Sequence, residues 1–341
     1  MKIIDPSVTY VPNTVPYKKM EYAGRLCYRS ENNIKEDSYI PFIKKIIEKG
    51  HLSILEHESI SMLVYDNAED ITRKLFNIIP DSNFYAGFFN ISSILKDGYC
   101  YSIISANVRA WYELLNYIFK NSYYSLLKCG EQNIYIQFYK TCTILYPIIF
   151  SEHIDDYVDY LFPILTISEI KDLLKFIPNE NSRNYEINKH CYESFVFTTS
   201  RSVSHQLVRH RKNSVSQSSQ RYCNYSSNKF NHSIDFILPY SIRQSMINAD
   251  ILTSTTLIAP YLTAYSQAEQ AYFDLIDIGT LPETAREVLP NGTSTTIMST
   301  ANIEQWKKVI DLRCDSHAQG DIRELITIVK ENLEKEYNLN L

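Results

Sequence analysis

The run from Asn67 to Asn188 constrains this chain more than any other feature. It is rich in Ile, Leu, Tyr and Phe and carries no concentration of chemically reactive side chains. A connection of that length without structure of its own is rare in a compact domain, and this one is too apolar to remain solvated. Segments such as "SANVRAWYELLNYIFK" and "IDDYVDYLFPIL" have helical spacing. The expectation is an inserted helical subdomain over 67–188, interrupting a domain built from residues 1–66 and 189–341.

Before the insertion, "MEYAGRLCYRS" and "EDSYIPFIKKIIEKG" read as helices, the second stopping at Gly50, and "ESISMLVYD" reads as a strand. After it, "CYESFVFTTS" is a β-branched and aromatic strand, and "SRSVSHQLVRHR" a helix entered through Ser200 or Ser202. A long helix ends at Gly279, "LPETAREVLP" is a short helix, "TSTTIMST" a strand, and the remainder from Asn302 is helical throughout. The fold class is therefore α+β (mixed α/β), with helices around a small central sheet. One internal echo, "SANVRAW" at Ser105 and "TANIEQW" at Thr300, sets no period by itself and reads as coincidence.

Of the 341 residues, 45% are hydrophobic and 21% charged, with a net charge of −5. That composition is globular, and its mild acidity argues against a nucleic-acid partner. No apolar run approaches a membrane span, and the start lacks the order of a signal peptide, so no membrane association and a cytoplasmic location are expected. The seven cysteines are scattered and never form CxxC, which argues against disulfides and structural zinc. "HESIS" at His57 begins like a zinc-protease motif but ends in Ser61, so no metal site is expected.

Chemistry concentrates in "RHRKNSVSQSSQRY", Arg209–Tyr222. If the preceding helix runs to His210, then Gln206, Arg209 and His210 share one face. Guanidinium groups offer fixed, planar, charged donors to phosphate or an imide, and serine hydroxyls add short neutral ones. On the residues alone, a solvated basic helix end and a nucleic-acid-binding module using RHRK with Tyr222 and Tyr225 remain open.

The ordered pattern Arg209-His210-Arg211, seven residues, Ser219 resembles the RHR-x7-S signature of the flavin-dependent thymidylate synthases. "GHLSILEH" (Gly50–His57), "AREVLP" (Ala285–Pro290) and "LRCDSHAQGDIREL" (Leu312–Leu325) are similar to three further blocks of that family, in the same order. The resemblance implies reductive methylation of dUMP with methylenetetrahydrofolate as carbon donor and FAD, reduced by NADPH, as hydride source. It places dUMP on Gln206, Arg209, Gln217, Ser218, Ser219, Arg221, Arg286 and Arg313, and FAD on Ser53, Glu56, Arg209, His210, Arg211, Gln217 and Asn302. Arg313, Ser219 and His51 would serve the chemistry, with Arg313 polarising the uracil ring, His51 lining the redox pocket and no cysteine acting as nucleophile. A homotetramer is implied, with FAD between subunits.

Two departures stand out. The family's N-x-R after the last strand reads Asn302, Ile303, Glu304 here, followed by Lys308, and position 216 is Ser where many members have Asn. A degenerate member that has lost the cofactor is the resulting alternative. The echo keeps N-x-R at Asn107 and Arg109, so Arg109 would supply the missing cation if the insertion folds back towards the cofactor, and Lys308 would meet the FAD phosphates if Arg109 plays no part in binding it.

Overall fold

The computed structural model describes residues 1–13, 17–65, 68–77, 87–120, 129–151, 160–247 and 250–337. The β-branched runs that read as strands form the centre of the larger sheet. In it, β2 (Ser7–Val11), β6 (Tyr192–Ser200), β9 (Ser294–Asn302) and β7 (Ser214–Gln217) lie in that order, each antiparallel to its neighbour. A second antiparallel sheet orders β3 (Ser59–Val64), β5 (Tyr99–Asn107) and β4 (Asn90–Lys96), and β1 (Lys2–Ile3) pairs in parallel with β8 (Asp235–Phe236).

The first half holds α1 (Lys18–Cys27), α2 (Tyr39–Glu48), α3 (Ala68–Thr72), α4 (Val108–Lys120), α5 (Cys129–Leu145), α6 (Ile167–Leu174) and α7 (Glu180–His190). The second holds α8 (Arg201–Leu207), α9 (Tyr240–Ile247), α10 (Ile251–Asp277), α11 (Pro282–Ala285), α12 (Ile303–Arg313) and α13 (Gly320–Tyr337). α4 and α5 bury Trp111 and Phe138 against β3 and β5, while α12 and α13 bury Trp306 and Ile326 against β6 and β9. Among the described residues no helix is long and apolar enough to cross a membrane.

Several local expectations change. The inserted segment is not purely helical, because β4 and β5 form a hairpin closed by Asp97 and Gly98, both at positive φ (52° and 80°). Such a two-residue turn matches strand twist, and Asp-Gly favours it. The hairpin pairs with β3, so the boundary at residue 66 falls beside a shared sheet. "SAN" ends β5, and the helix begins only at Val108. Of "IDDYVDYLFPIL", Ile154–Asp159 lie outside the described residues; Tyr160–Leu165 is not helical, and Ile164 bridges Met62. The C-terminal segment is two helices interrupted between Arg313 and Gly320. The polar loop after the RHR triplet contains β7, an edge strand not anticipated.

The echo is a structural repeat. Ile60 pairs with Ala106 and Ser61 with Ser105 across β3–β5; Glu193 pairs with Ala301 and Ser194 with Thr300 across β6–β9. Both long strands end in an asparagine whose Oδ1 accepts a backbone N–H three residues on, Asn107 from Ala110 at 2.8 Å and Asn302 from Gln305 at 2.9 Å. Each thereby caps the next helix. Four residues after each asparagine comes a buried tryptophan, whose indole N–H donates to the carbonyl of Ile60 or of Glu193. The outer strands match too, since Ser92 of β4 pairs with Ile103 as Ser216 of β7 pairs with Met298. The first unit is thus β3-β5-β4 with α4, and the second β6-β9-β7 with α12.

Two buried histidines stitch the units together reciprocally. His57, just before β3, lies 2.8 Å from Thr300 Oγ1 and 2.9 Å from Ser216 Oγ, both in the second unit. His190, just before β6, lies 2.8 Å from Ser105 Oγ and 2.6 Å from Ser92 Oγ, both in the first. Such an exchange is the signature of a twofold relationship.

Candidate active site

Between the two units lies a cavity of about 500 Å³, within the size range of small-molecule sites. Its walls mirror the repeat: Asn107 and Asn90 come from the first unit, Asn302 and Ser214 from the second. Three residues expected at FAD, Glu56, Arg211 and Asn302, line it. The charges around it are unequal in their pairing. Glu304 meets Lys308 at 3.0 Å, so the substituted carboxylate is answered one turn along the same helix. Lys189 meets Glu186 at 2.6 Å. Arg211 and Lys212 are exposed and have no ion-pair partner among the described residues.

Arg109 does not face the cavity as a free cation. Its Nη1 donates to Glu56 Oε1 at 2.6 Å and its Nε to Glu113 Oε1 at 2.8 Å, in a small adjoining recess. The insertion does fold back towards the expected cofactor residues, yet Asn107 is the member of the echo that lines the cavity.

A second cluster forms where α8 meets α12. The helix α8 is capped by Ser200, whose Oγ accepts from Val203 N, and stops at Leu207, so Arg209 and His210 follow in a turn and are not on a helical face. Backbone N–H groups of Arg209 and His210 nevertheless reach back to Gln206 and Leu207, which keeps the turn tight. Arg313, at the end of α12, donates from Nε to His210 Nε2 at 3.1 Å and from Nη1 to Gln206 Oε1 at 3.4 Å. The Gln206 amide in turn donates to Gln319 Oε1 at 2.7 Å. Burial, then the neighbouring Arg313 charge, holds His210 below the usual imidazole range. His210 is therefore neutral, with Nε2 as acceptor.

The remaining expected residues lie apart from that cluster. Gln217 on β7 donates to Ser204 Oγ at 2.9 Å and Thr295 Oγ1 at 3.1 Å, and buried Ser218 bonds Thr295 Oγ1 at 3.0 Å. Ser219 N donates to Cys27 O at 2.9 Å, and its Oγ accepts from Arg221 N. Arg221 pairs with the Glu283 carboxylate at 2.7 Å while Arg286 Nε donates to the Glu283 carbonyl at 3.1 Å, which puts two cations at one glutamate. His51 and Ser53 are exposed at the 3-10 turn Leu52–His57, away from the cavity lining. The structure thus joins Gln206, His210 and Arg313, and separately Glu56, Arg211 and Asn302; it does not bring His51, Ser53, Arg221 and Arg286 to either group within the chain. Lys189, Lys212 and Asn107 were missed as cavity residues, and only Asn107 carried a signal, through the echo.

Comparison with known proteins agrees with the motif pattern. The model of a family described as thymidylate synthase complementing protein matches residues 151–337. The chain is 36% identical over 146 residues to the flavin-dependent thymidylate synthase of Geobacter sulfurreducens, covering 41% of this chain and 57% of that one. It is 31% identical over 158 residues to that of Mycolicibacterium gilvum and 31% over 149 residues to that of Mycobacterium tuberculosis, each covering 42% of this chain and 57% of the relative. The chain therefore spans a little more than half the length of these curated relatives. With the matched region running from before β6 to the end of α13 and containing the RHR turn, the arginine-VLP element and Arg313, the chain belongs to the thymidylate synthase complementing protein family.

Proposed function

We propose that the chain is a flavin-dependent thymidylate synthase, converting dUMP to dTMP with methylenetetrahydrofolate as carbon donor and NADPH as reductant, in the cytoplasm and as a homotetramer. The observation that carries this reading is the convergence of two motif segments, Gln206 and His210 from one and Arg313 from the other, on one half-buried cluster. A bound FAD supplies the hydride. The residues around the cavity suit such a group: Arg211 and Lys212 are unpaired cations for a diphosphate, and asparagine amides stand beside them.

The chain's own contribution is positional and electrostatic. Arg313 is held by neutral His210 on one side and Gln206 on the other, so its remaining guanidinium donors are aimed and stay charged. A guanidinium beside a uracil imide stabilises the ring's anionic form and makes its reacting carbon more nucleophilic. Arg221 and Arg286, gathered at Glu283, are suited to a phosphomonoester. The tetramer reading is supported by the exposure of His51 and Ser53, whose counterparts in the family meet a cofactor shared between subunits.

The test is a visible spectrum of the purified protein followed by NADPH oxidation with and without dUMP in the presence of methylenetetrahydrofolate. Flavin absorbance with dUMP-dependent dTMP formation is expected. A colourless protein that binds no added FAD and forms no dTMP overturns the reading.

A further inference from the structure

In the cavity between the two repeat units, the two matched asparagines differ in their hydrogen bonding. Asn107 is only 8% exposed and lines the cavity. Its Oδ1 is occupied as the cap of α4, accepting from Ala110 N. Its side-chain NH2 has no acceptor among the described residues. The equivalent NH2 of Asn302 donates to the Lys189 carbonyl at 2.9 Å, so the second unit satisfies its copy internally and the first does not. The NH2 of Asn107 is not sealed in the interior but opens on the cavity, where it is a donor free for a bound ligand. Capping alone does not call for the amide, since Asp or Ser caps as well without the spare N–H groups.

The group is also well placed. Asn107 and Asn302 end equivalent strands and line the same cavity as Arg211, Lys212 and the carboxylate of Glu56. Arg109, two residues on, holds Glu56 through a 2.6 Å ion pair and fixes the wall beside Asn107.

We propose that Asn107 is a cofactor-binding residue contributed by the inserted segment, its amide NH2 donating to an acceptor oxygen of the flavin cofactor. The first repeat unit thus contributes to the cofactor site alongside the second. This rests on the flavin reading above and adds to it a contact outside the region matched by the family.

The experiment titrates FAD into apo-protein and follows the quenching of flavin fluorescence. It compares wild type with Asn107→Ser and Asn107→Asp, and with Lys44→Ala as a distant surface control. Both Asn107 variants keep an oxygen for the helix cap and lose the amide donor. Weakening of FAD binding by about tenfold or more is expected in both, with the melting temperature of the apo-protein unchanged and Lys44→Ala indistinguishable from wild type. Wild-type affinity in both variants overturns the role of Asn107 and leaves the flavin reading standing. Failure of the wild-type protein itself to bind FAD overturns the flavin reading and this inference with it.

Discussion

Arg313 donates from Nε to Nε2 of His210 across 3.1 Å, an interaction that requires the imidazole to be neutral on that nitrogen. Burial, helped by the guanidinium, keeps it so. Replacing Arg313 with Ala removes both the donor and the nearby positive charge, so the His210 titration moves upward, which histidine NMR detects. The same variant loses dTMP formation by well over tenfold, as expected for a charge-assisted contact of about 2–5 kcal/mol, while flavin absorbance persists. An unshifted His210 or near-normal turnover contradicts the arrangement.

The histidines that stitch the repeat units together titrate far from their usual range. Burial, followed by a nearby lysine in each case (Lys19 and Lys189), brings His57 and His190 down to about 3. In the unfolded chain each binds a proton near pH 6.5, so between that value and about 3 the unfolded state holds more protons and stability falls as pH falls. Glu58 and Glu193, raised by burial, act in the opposite direction, so the informative quantity is a difference between proteins. His57→Gln and His190→Gln each lower stability at pH 7, and each loses about 2 kcal/mol less than wild type between pH 7 and pH 5. Urea unfolding at the two pH values measures this, and parallel losses would show that neither histidine is buried uncharged.

The two tryptophans of the chain, Trp111 and Trp306, occupy matching positions in the two units and are fully buried. Each single replacement by Phe leaves one reporter and removes one indole hydrogen bond, costing about 1–2 kcal/mol. Because His57 and His190 cross between the units, both reporters should unfold at the same denaturant concentration as the loss of far-UV circular dichroism in that variant. Separated transitions would mean that the units are energetically independent.

Cysteine chemistry is not needed by the proposed reaction. Cys142 and Cys191 are buried with thiols held above their usual range, which suppresses thiolate, and Cys314 contacts Thr327 at 3.9 Å. Cys314→Ser should retain flavin binding and most of its dTMP formation. A variant that folds, binds FAD and forms no dTMP would point to a thiol step.

Residues with strong local preferences are legible in the sequence alone. Ser200 caps α8 as its place ahead of "RSVSHQL" suggests, and Gly50 and Gly279 end their helices at positive φ. Elements chosen by partners were harder to see. β7 is a run of Ser, Val, Ser and Gln whose strand character comes from pairing with β9 and from the His57 contact at Ser216. The β4–β5 hairpin announced itself only through Asp97-Gly98 inside a run that otherwise suggested helix. The repeat shows in the sequence only as the echo ending at Trp111 and Trp306, because its other identities are scattered residues doing matched jobs, such as Ser61 and Ser194. Gln206, His210 and Arg313 were anticipated as site residues from motif order, whereas the position of Asn107 depends on how one unit packs on the other, which no local pattern records.

The repeat also frees the chain from a constraint that binds symmetric dimers. In a homodimer every substitution at an interface is made twice, and a residue on the axis must tolerate its own copy. Here the matched positions have diverged in opposite senses: Arg109 stands where the other unit has Glu304, Glu113 where it has Lys308, and Glu56 where it has Lys189. One half of the cavity could become acidic while the other kept its basic loop, and a ligand bound between them meets two chemically different faces. A duplicated interface in a single polypeptide can specialise in ways that two identical subunits cannot.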